Sequence, residues 1–200
     1  MSTQNARRIV VGISGASGAI LGIELLKAIR EFPEWESHLV ISSGARRTIE
    51  HETPYAAAEV EALATRCHAL EDVGASIASG TFKTQGMIIA PCSMKTLAGV
   101  ASGYSDNLLL RAADVVIKER RKLVLVARES PLSPLHIRNM QTCSELGAVI
   151  LPPVLTFYNM PQSIEDMTRH MVGKMLDIFG LELPRFKRWG ADGDEAERVG

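Results

Sequence analysis

The stretch that most constrains the fold runs from Arg7 to Gly22 and reads RRIVVGISGASGAILG. An apolar, β-branched run enters a glycine-rich loop and a helical pattern follows at once, which predicts a strand, a tight loop and a helix. Such a turn gathers unpaired backbone N–H groups at a helix N-terminus, where anions bind well. Ser14 and Ser17 can add hydroxyl donors for a phosphate. Three glycines allow a ligand to approach the backbone closely, namely Gly12, Gly15 and Gly18. The loop therefore predicts a nucleotide or phosphate site, and a tight turn without a ligand is the alternative.

The glycine spacing narrows the class of ligand. The loop reads G-x-x-G-x-x-G and lacks the G-K-[ST] ending, so the motif is not that of a Walker ATPase. A dinucleotide-binding fold carries an Asp or Glu at the end of its second strand. Here the second predicted strand ends in Ser42-Ser43-Gly44. The sequence therefore disfavours NAD and favours a mononucleotide such as FMN.

Short apolar runs alternate with helical patterns along the chain, which predicts an α/β fold with a parallel, doubly wound sheet. Strands are predicted at residues 9–13, 37–42, 86–90, 122–127 and 148–151. Helices are predicted at 19–31, 44–52, 57–64, 93–101, 107–120, 133–146 and 163–179. In such sheets ligands bind beyond the carboxyl ends of the strands.

Composition and charge limit the number of domains and the classes of partner that this chain can have. The 200 residues are 46% hydrophobic, which suits one core, so we predict a single domain over residues 1–190 and a disordered tail over 191–200. A formal net charge of −1 gives no electrostatic case for nucleic acid, and no window is apolar enough for a membrane span. Three scattered cysteines and no signal-peptide pattern predict a reduced, cytoplasmic protein without structural zinc.

Polar side chains follow most of the predicted strands. Besides the first loop and Ser42, the third strand leads into the turn 91–96, PCSMKT, and the fourth into Arg128-Glu129. A guanidinium and a carboxylate at this place suit catalysis, because Glu129 can act as an acid or a base; a salt-bridged rim is the alternative. We interpret Cys92, which has no suitably spaced His or Asp, as a buried structural thiol.

Four segments, in this order along the chain, resemble one known family. They read GISGASGA at 12–19, PCSMKTLAG at 91–99, RAADVVIKERRKLVLVARE at 111–129 and PP-x₃-FY-x-x-PQS at 152–163. The family is that of the flavin prenyltransferases, the UbiX-like proteins formerly described as aromatic-acid decarboxylases. The resemblance implies a flavodoxin-like, Rossmann-like three-layer sandwich that assembles into a homododecamer. It also implies metal-independent transfer of a dimethylallyl group from dimethylallyl monophosphate to N5 and C6 of reduced FMN. The product, prenylated FMN, would serve a UbiD-type decarboxylase.

The resemblance also implies residue roles. The residues similar to FMN contacts are Gly15, Ala16, Ser17, Ser42, Ser93, Met94, Lys95, Thr96 and Arg128. Those similar to the residues around the allylic phosphate are Arg111, Lys118, Tyr158 and Lys174. In catalysis Lys118 and Arg128 would stabilise the leaving phosphate, while Ser17 and Glu129 would pass protons. Lys174 departs from the arginine of many relatives and loses its bidentate fork.

Two other functions remain open from the sequence. One is a flavin-dependent decarboxylase similar to the phosphopantothenoylcysteine decarboxylases. The segment 31–37 after the first helix has no histidine for that chemistry, and His38 lies within the next strand. The other is a non-catalytic flavin-carrier subunit of an aromatic-acid decarboxylase.

Overall fold

The computed structural model describes residues 6–184, 186, 188 and 189. The strands are β1 (Arg7–Ile13), β2 (Trp35–Ile41), β3 (Arg66–His68), β4 (Gly86–Cys92), β5 (Lys122–Ala127) and β6 (Val149–Ile150). The helices are α1 (Ala19–Ile29), α2 (Ser43–Glu52), α3 (Ala57–Glu61), α4 (Met94–Ser102), α5 (Leu108–Lys118), α6 (Pro134–Glu145) and α7 (Ile164–Asp177). A 3₁₀ turn, Ser76–Ala78, lies between β3 and β4. In the part of the chain that the structure describes, no helix is long and apolar enough to cross a membrane.

Within these residues six strands form one parallel sheet in the order β3-β2-β1-β4-β5-β6. From β1 the chain adds β2 and then β3 on one side of the sheet. It then returns to add β4, β5 and β6 on the other side of β1. The reversal places a crevice at the carboxyl ends of β1 and β4, where doubly wound sheets bind their ligands. Without the three-residue edge strand β3, the order is that of flavodoxin-like proteins. The predicted α/β, flavodoxin-like fold is confirmed.

The central strands are buried on both faces, as their continuous apolar runs predict. In β4 all seven residues are buried, and in β1 the five residues from Ile9 onward are. One core cluster packs α4 and α5 against β1, β4 and β5. Helix α5 directs its leucines, alanines and valines into this cluster and leaves Arg111, Asp114 and Lys118 outside it, at intervals of three and four residues. The centre of the sheet is therefore part of the core, and polar groups lie beyond the ends of its strands.

The chain divides into two compact units between Pro153 and Val154. The first unit contains the sheet and helices α1 to α6, and the second contains α7. The single domain over residues 1–190 stays a prediction. The predicted disordered tail, residues 191–200, lies outside the described residues.

Candidate functional site at the carboxyl ends of the strands

The loop after β1 is locked to the turn after β4 by a fully buried serine. The Ser14 hydroxyl donates to the Pro91 carbonyl oxygen at 2.9 Å and accepts from the Ser93 backbone N–H at 2.7 Å. The Ser14 backbone N–H also donates to the Pro91 carbonyl, at 3.2 Å. Ser14 is therefore committed to structure, and the expectation that it donates to a phosphate is wrong for this geometry.

Backbone contact between two loops explains why glycine occupies position 15. A Cβ added at Gly15 would lie 3.0 Å from the Cα of Gly44, in the first turn of α2. Gly18 precedes α1 with a φ of 95°, in the left-handed region that favours glycine. The loop thus turns sharply at Gly18 and packs against α2 at Gly15.

Three helices begin at this edge of the sheet. Helix α1 starts after Gly18, α2 is capped by Ser42, whose hydroxyl accepts from Ala45 N–H at 3.1 Å, and α4 is capped by Ser93, whose hydroxyl accepts from Thr96 N–H at 3.3 Å. Their preceding strands β1, β2 and β4 are neighbours in the sheet. A helix N-terminus presents backbone N–H groups and the positive end of a helix dipole to whatever anion lies beside it. The crevice therefore suits a phosphate-bearing ligand.

A carboxylate that the sequence analysis missed lies at the start of α1. Glu52, the last residue of α2, accepts from the Gly18 backbone N–H at 2.8 Å and from the Ser17 side chain and Ala19 N–H. Partial desolvation favours the neutral acid, but these three hydrogen bonds, with the nearby charge of Arg128, hold the pKa of Glu52 below its usual value. The Ser17 hydroxyl is therefore paired with an ionised carboxylate.

The ends of β4 and β5 are joined at the same edge. The Arg128 backbone N–H donates to the Cys92 carbonyl at 3.0 Å, and the Arg128 charge reaches Glu52. Thr96 is buried and Lys95 is exposed in the first turn of α4. Cys92 is fully buried, and burial raises its pKa, so the thiol stays protonated and is no nucleophile. All nine residues predicted to contact FMN lie in the turns after β1, β2, β4 and β5 or in the first turn of α4, and these four strands are consecutive in the sheet.

Glu129 lies in the same turn as Arg128, and both are exposed in the single chain. Its Oε1 accepts from the Ser130 backbone N–H at 3.0 Å. The side chain is therefore available at the rim of the crevice.

Two predicted substrate residues lie on α5, and Lys118 at its end lies at the opposite end of the sheet from the crevice. Lys118 ends α5, just before β5 begins, and forms an ion pair with Glu119 at 2.8 Å. Arg111 forms one with Asp114 at 2.6 Å. Both line a cavity of about 650 Å³ together with Ala78, Ser79, Gly80, Thr81, Lys83, Glu119 and Arg121. Since the six-residue strand β5 spans about 20 Å, one chain does not bring Lys118 to Glu129.

The other two predicted substrate residues belong to the second unit. Tyr158 precedes α7 and its hydroxyl lies 3.1 Å from Nε2 of His170. Lys174 lies on α7, one turn after His170. The two predicted phosphate ligands of this unit thus flank one histidine.

Comparison with known proteins identifies the family to which this geometry belongs. The family model described as Flavoprotein matches residues 1–178. A probable UbiX-like flavin prenyltransferase of Sedimentibacter hydroxybenzoicus is 56% identical over 188 residues, which cover 94% of this chain and all of the relative.

Two crystal structures share the fold with a TM-score of 0.90 each. One is described as a dodecameric FMN-dependent UbiX-like decarboxylase from Escherichia coli O157:H7; it is 54% identical, and the match covers 91% of this chain and 98% of that one. The other is AnUbiX (PadA1) in complex with FMN and dimethylallyl pyrophosphate; it is 52% identical, and the match covers 92% of this chain and 97% of that one. In sequence, length and fold, the chain belongs to the UbiX-like flavin prenyltransferases of the Flavoprotein family.

Proposed function

We propose that this chain transfers a dimethylallyl group from dimethylallyl monophosphate to N5 and C6 of reduced FMN. The observation that carries the proposal is the crevice itself, in which three helix N-termini, the Ser17–Glu52 pair and Arg128 converge after adjacent strands. Reduced FMN supplies the nucleophilic ring positions, and the chain supplies position, charge and proton transfer.

The FMN phosphate fits the turn after β2, at the N-terminus of α2, because the ionised Glu52 already occupies N–H groups at the start of α1. The backbone contact between Gly15 and Gly44 places the loop after β1 directly beside this turn. Ser42 and Ser93 already cap their helices, so their hydroxyls are held in place beside the ligand. The buried Ser14 fixes the relative position of the first loop and the β4 turn.

Ionisation of the allylic phosphate needs positive charge near the leaving group. Arg128 carries such a charge at the crevice. By the family resemblance, Tyr158 and Lys174 of the second unit are proposed as ligands of the allylic phosphate. Since Lys118 lies at the far end of β5 and Arg111 lines the same cavity, we propose that a second copy of the chain presents them to the crevice. The active site then lies at a junction between subunits, which accords with the dodecameric E. coli relative.

Proton transfer is assigned to two carboxylates at the crevice. The Ser17 hydroxyl donates to the ionised Glu52, so this pair can move a proton between the loop and α2. Glu129 at the rim is the second acid–base group. Glu129 follows Arg128 in the turn after β5, and Glu52 at the end of α2 contacts the loop after β1.

The product and the assembly complete the proposal. We propose that prenylated FMN is passed to a UbiD-type decarboxylase, that the chain forms a homododecamer, and that it acts in the cytoplasm without a metal. The dodecameric relative supports the assembly. Each of these statements has a direct measurement.

The deciding experiment is anaerobic turnover with reduced FMN and EDTA, followed by mass spectrometry of the flavin. Dimethylallyl monophosphate and diphosphate are compared as donors, because the AnUbiX crystal structure contains the diphosphate form. We expect phosphate release and one added dimethylallyl group with the monophosphate. In a parallel reaction with an aromatic acid added, an unmodified flavin and consumption of that acid would instead identify a decarboxylase, and an unmodified flavin without any turnover would favour a carrier subunit.

A further inference from the structure

The second unit contains a buried histidine that the proposed reaction does not yet use. His170 lies on α7 and is only 4% exposed. Its Nε2 is 3.1 Å from the Tyr158 hydroxyl, and it lies one turn before Lys174. His170 thus lies between the two residues of this unit that the resemblance assigns to the allylic phosphate.

Two aromatic contacts fix the orientation of this imidazole. Tyr158 meets it edge to face, with ring centroids 5.5 Å apart at 82°. Phe186 stacks on it at 5.1 Å and 29°. A ring held by a stacked partner and a hydrogen bond has little rotational freedom, so Nε2 points steadily at the phenol.

The ring is neutral at physiological pH. Burial, followed by the charge of Lys174, holds the pKa of His170 below its usual value. A neutral imidazole has one N–H donor and one acceptor nitrogen. If Nε2 accepted from Tyr158, the phenol proton would be used within the protein. If Nε2–H donates to the phenol oxygen, the proton stays free for an external acceptor, and the hydrogen bond received by the oxygen makes that proton a better donor.

We propose that His170 is a positioning residue, which donates from Nε2 to the Tyr158 oxygen and so directs the phenol proton to the phosphate of the allylic donor. This inference rests on the proposed function, because it needs Tyr158 to bind that phosphate. It extends that function to a residue that touches the substrate only through another side chain.

Two variants separate the hydrogen bond from the packing. His170→Phe keeps an aromatic ring against Phe186 and removes the hydrogen bond, whereas His170→Gln loses the ring and keeps an amide donor near Nε2. Tyr158→Phe removes the phenol, and the double variant Tyr158→Phe/His170→Phe completes a thermodynamic cycle. Tyr104→Phe is the matched control, since it removes a hydroxyl from an exposed tyrosine that we assign to no site.

The measurements are the KM for dimethylallyl monophosphate and, without turnover, its Kd for the enzyme with oxidised FMN, obtained by calorimetric titration. We expect His170→Phe to raise both by about threefold to tenfold, the usual effect of one hydrogen bond, with kcat less affected. His170→Gln should restore most of the loss, and His170→Phe should add nothing to Tyr158→Phe. Tyr104→Phe should match the wild type.

The outcomes distinguish the inference from the function on which it rests. If Tyr158→Phe weakens donor binding but His170→Phe does not, or if the two effects add, the positioning role is wrong and the proposed function stands. If Tyr158→Phe leaves KM and Kd unchanged, the proposed phosphate role of Tyr158 is itself wrong. Thermal melting of each variant with FMN bound checks that the fold is intact. Equal losses of donor affinity in His170→Phe and His170→Gln would show that an amide donor near Nε2 does not restore binding, and would overturn the positioning role.

Discussion

At the scale of single residues, the crevice depends on a carboxylate placed where a phosphate binds in many α/β proteins. Glu52 receives hydrogen bonds from Ser17 and from the N–H groups of Gly18 and Ala19, and Arg128 lies close enough to stabilise its charge. An ionised side chain in this position holds the Ser17 hydroxyl, and in the proposed reaction it would accept a proton. The hydrogen bond between Gly18 and Glu52 joins residues that are 34 positions apart in the sequence.

The first prediction tests this carboxylate. Glu52→Gln keeps the size of the side chain but removes its charge and its basicity, so turnover should fall by about 10²-fold or more while FMN still binds. Steady-state phosphate release and the flavin content of the purified protein measure the two effects. Glu50→Gln, an exposed neighbour on the same helix, is the control and should behave as wild type. Full activity in Glu52→Gln would remove it from the proton path.

A second residue-scale prediction concerns acid stability. His38 is 1% exposed in β2, and its Nδ1 lies 3.0 Å from Nε2 of His68. Burial, and then the charge of His68, lowers the pKa of His38 from 6.5 to about 4. The unfolded chain therefore binds a proton that the folded chain does not bind between these pH values, so stability is present above pH 6.5 and is lost as the pH falls toward 4.

We expect this loss to approach, at most, about 1.4 kcal/mol per pH unit in that window. Urea unfolding at pH 7, 6 and 5 measures it at one protein concentration. His38→Leu, which does not titrate, should show a shallower pH dependence than the wild type. His51→Gln, at an exposed histidine of α2, should follow the wild type. Parallel curves for wild type and His38→Leu would contradict the assignment.

At the scale of elements, the alternation of strands and helices was predictable, but the connections and contacts between them were not. The predicted strand at 122–127 agrees with β5 at both ends, and helix α2 differs from its prediction by one residue. Strand β3 was missed, because Arg66-Cys67-His68 is short and polar and pairs only at the sheet edge. The segment 69–85, which has no predicted strand or helix, contains a 3₁₀ turn with Ile77 buried in the core. The Arg121 guanidinium donates to the carbonyl oxygens of Gly80 and Phe82, which fixes the second half of this segment.

The third prediction tests the joint between β1 and β4. Ser14→Ala leaves the Ser93 N–H without its acceptor inside the protein and removes a donor to Pro91, so unfolding should become easier by about 1–3 kcal/mol. FMN content should fall as well, because the first loop is no longer held to the β4 turn. Denaturant unfolding and flavin absorbance measure both effects. Ser43→Ala, which removes an exposed hydroxyl from α2, should change stability by less than about 0.5 kcal/mol.

At the scale of the whole molecule, the sheet separates two polar regions by the length of β5. The crevice with Arg128 and Glu129 lies at the carboxyl ends, and the cavity with Arg111 and Lys118 lies at the amino end. A reaction that uses both regions needs two copies of the chain. Closed symmetric assembly provides such a contact, because the same surfaces recur on every subunit.

The fourth prediction is complementation between two defective chains. Glu129→Gln and Lys118→Ala should each be slow when assembled alone. Co-expressed in equal amounts, they should recover about a quarter of wild-type activity, since random assembly joins one intact crevice to one intact Lys118 in that share of sites. Light scattering checks that all samples form the same oligomer. A mixture no more active than the separate variants would mean that each chain uses its own Lys118.

The sequence by itself determined the properties that depend on local pattern. The β-branched runs and helical periods specify the parallel α/β sheet, because each reflects how one segment is buried. The glycine spacing and the serine after β2 excluded the common nucleotide motifs and left a mononucleotide, and the capping serines Ser42 and Ser93 act within a few residues of their own positions. Four long motifs in order then identified the family, which the relatives confirm.

Only the tertiary structure decided which polar groups meet. The loop sequence predicts Ser14 as a phosphate donor. In the structure its hydroxyl donates to the Pro91 carbonyl, 77 residues away, and so links the loop to β4. In the sequence Glu52 is one of several charged residues in a helical pattern. The approach of α2 to Gly18 makes it part of the site. Lys118 and Arg128 are ten positions apart, yet an extended strand between them carries them to opposite ends of the sheet. Local preferences fix each element, whereas the meeting of distant side chains depends on how the elements pack, and packing is a property of the whole fold.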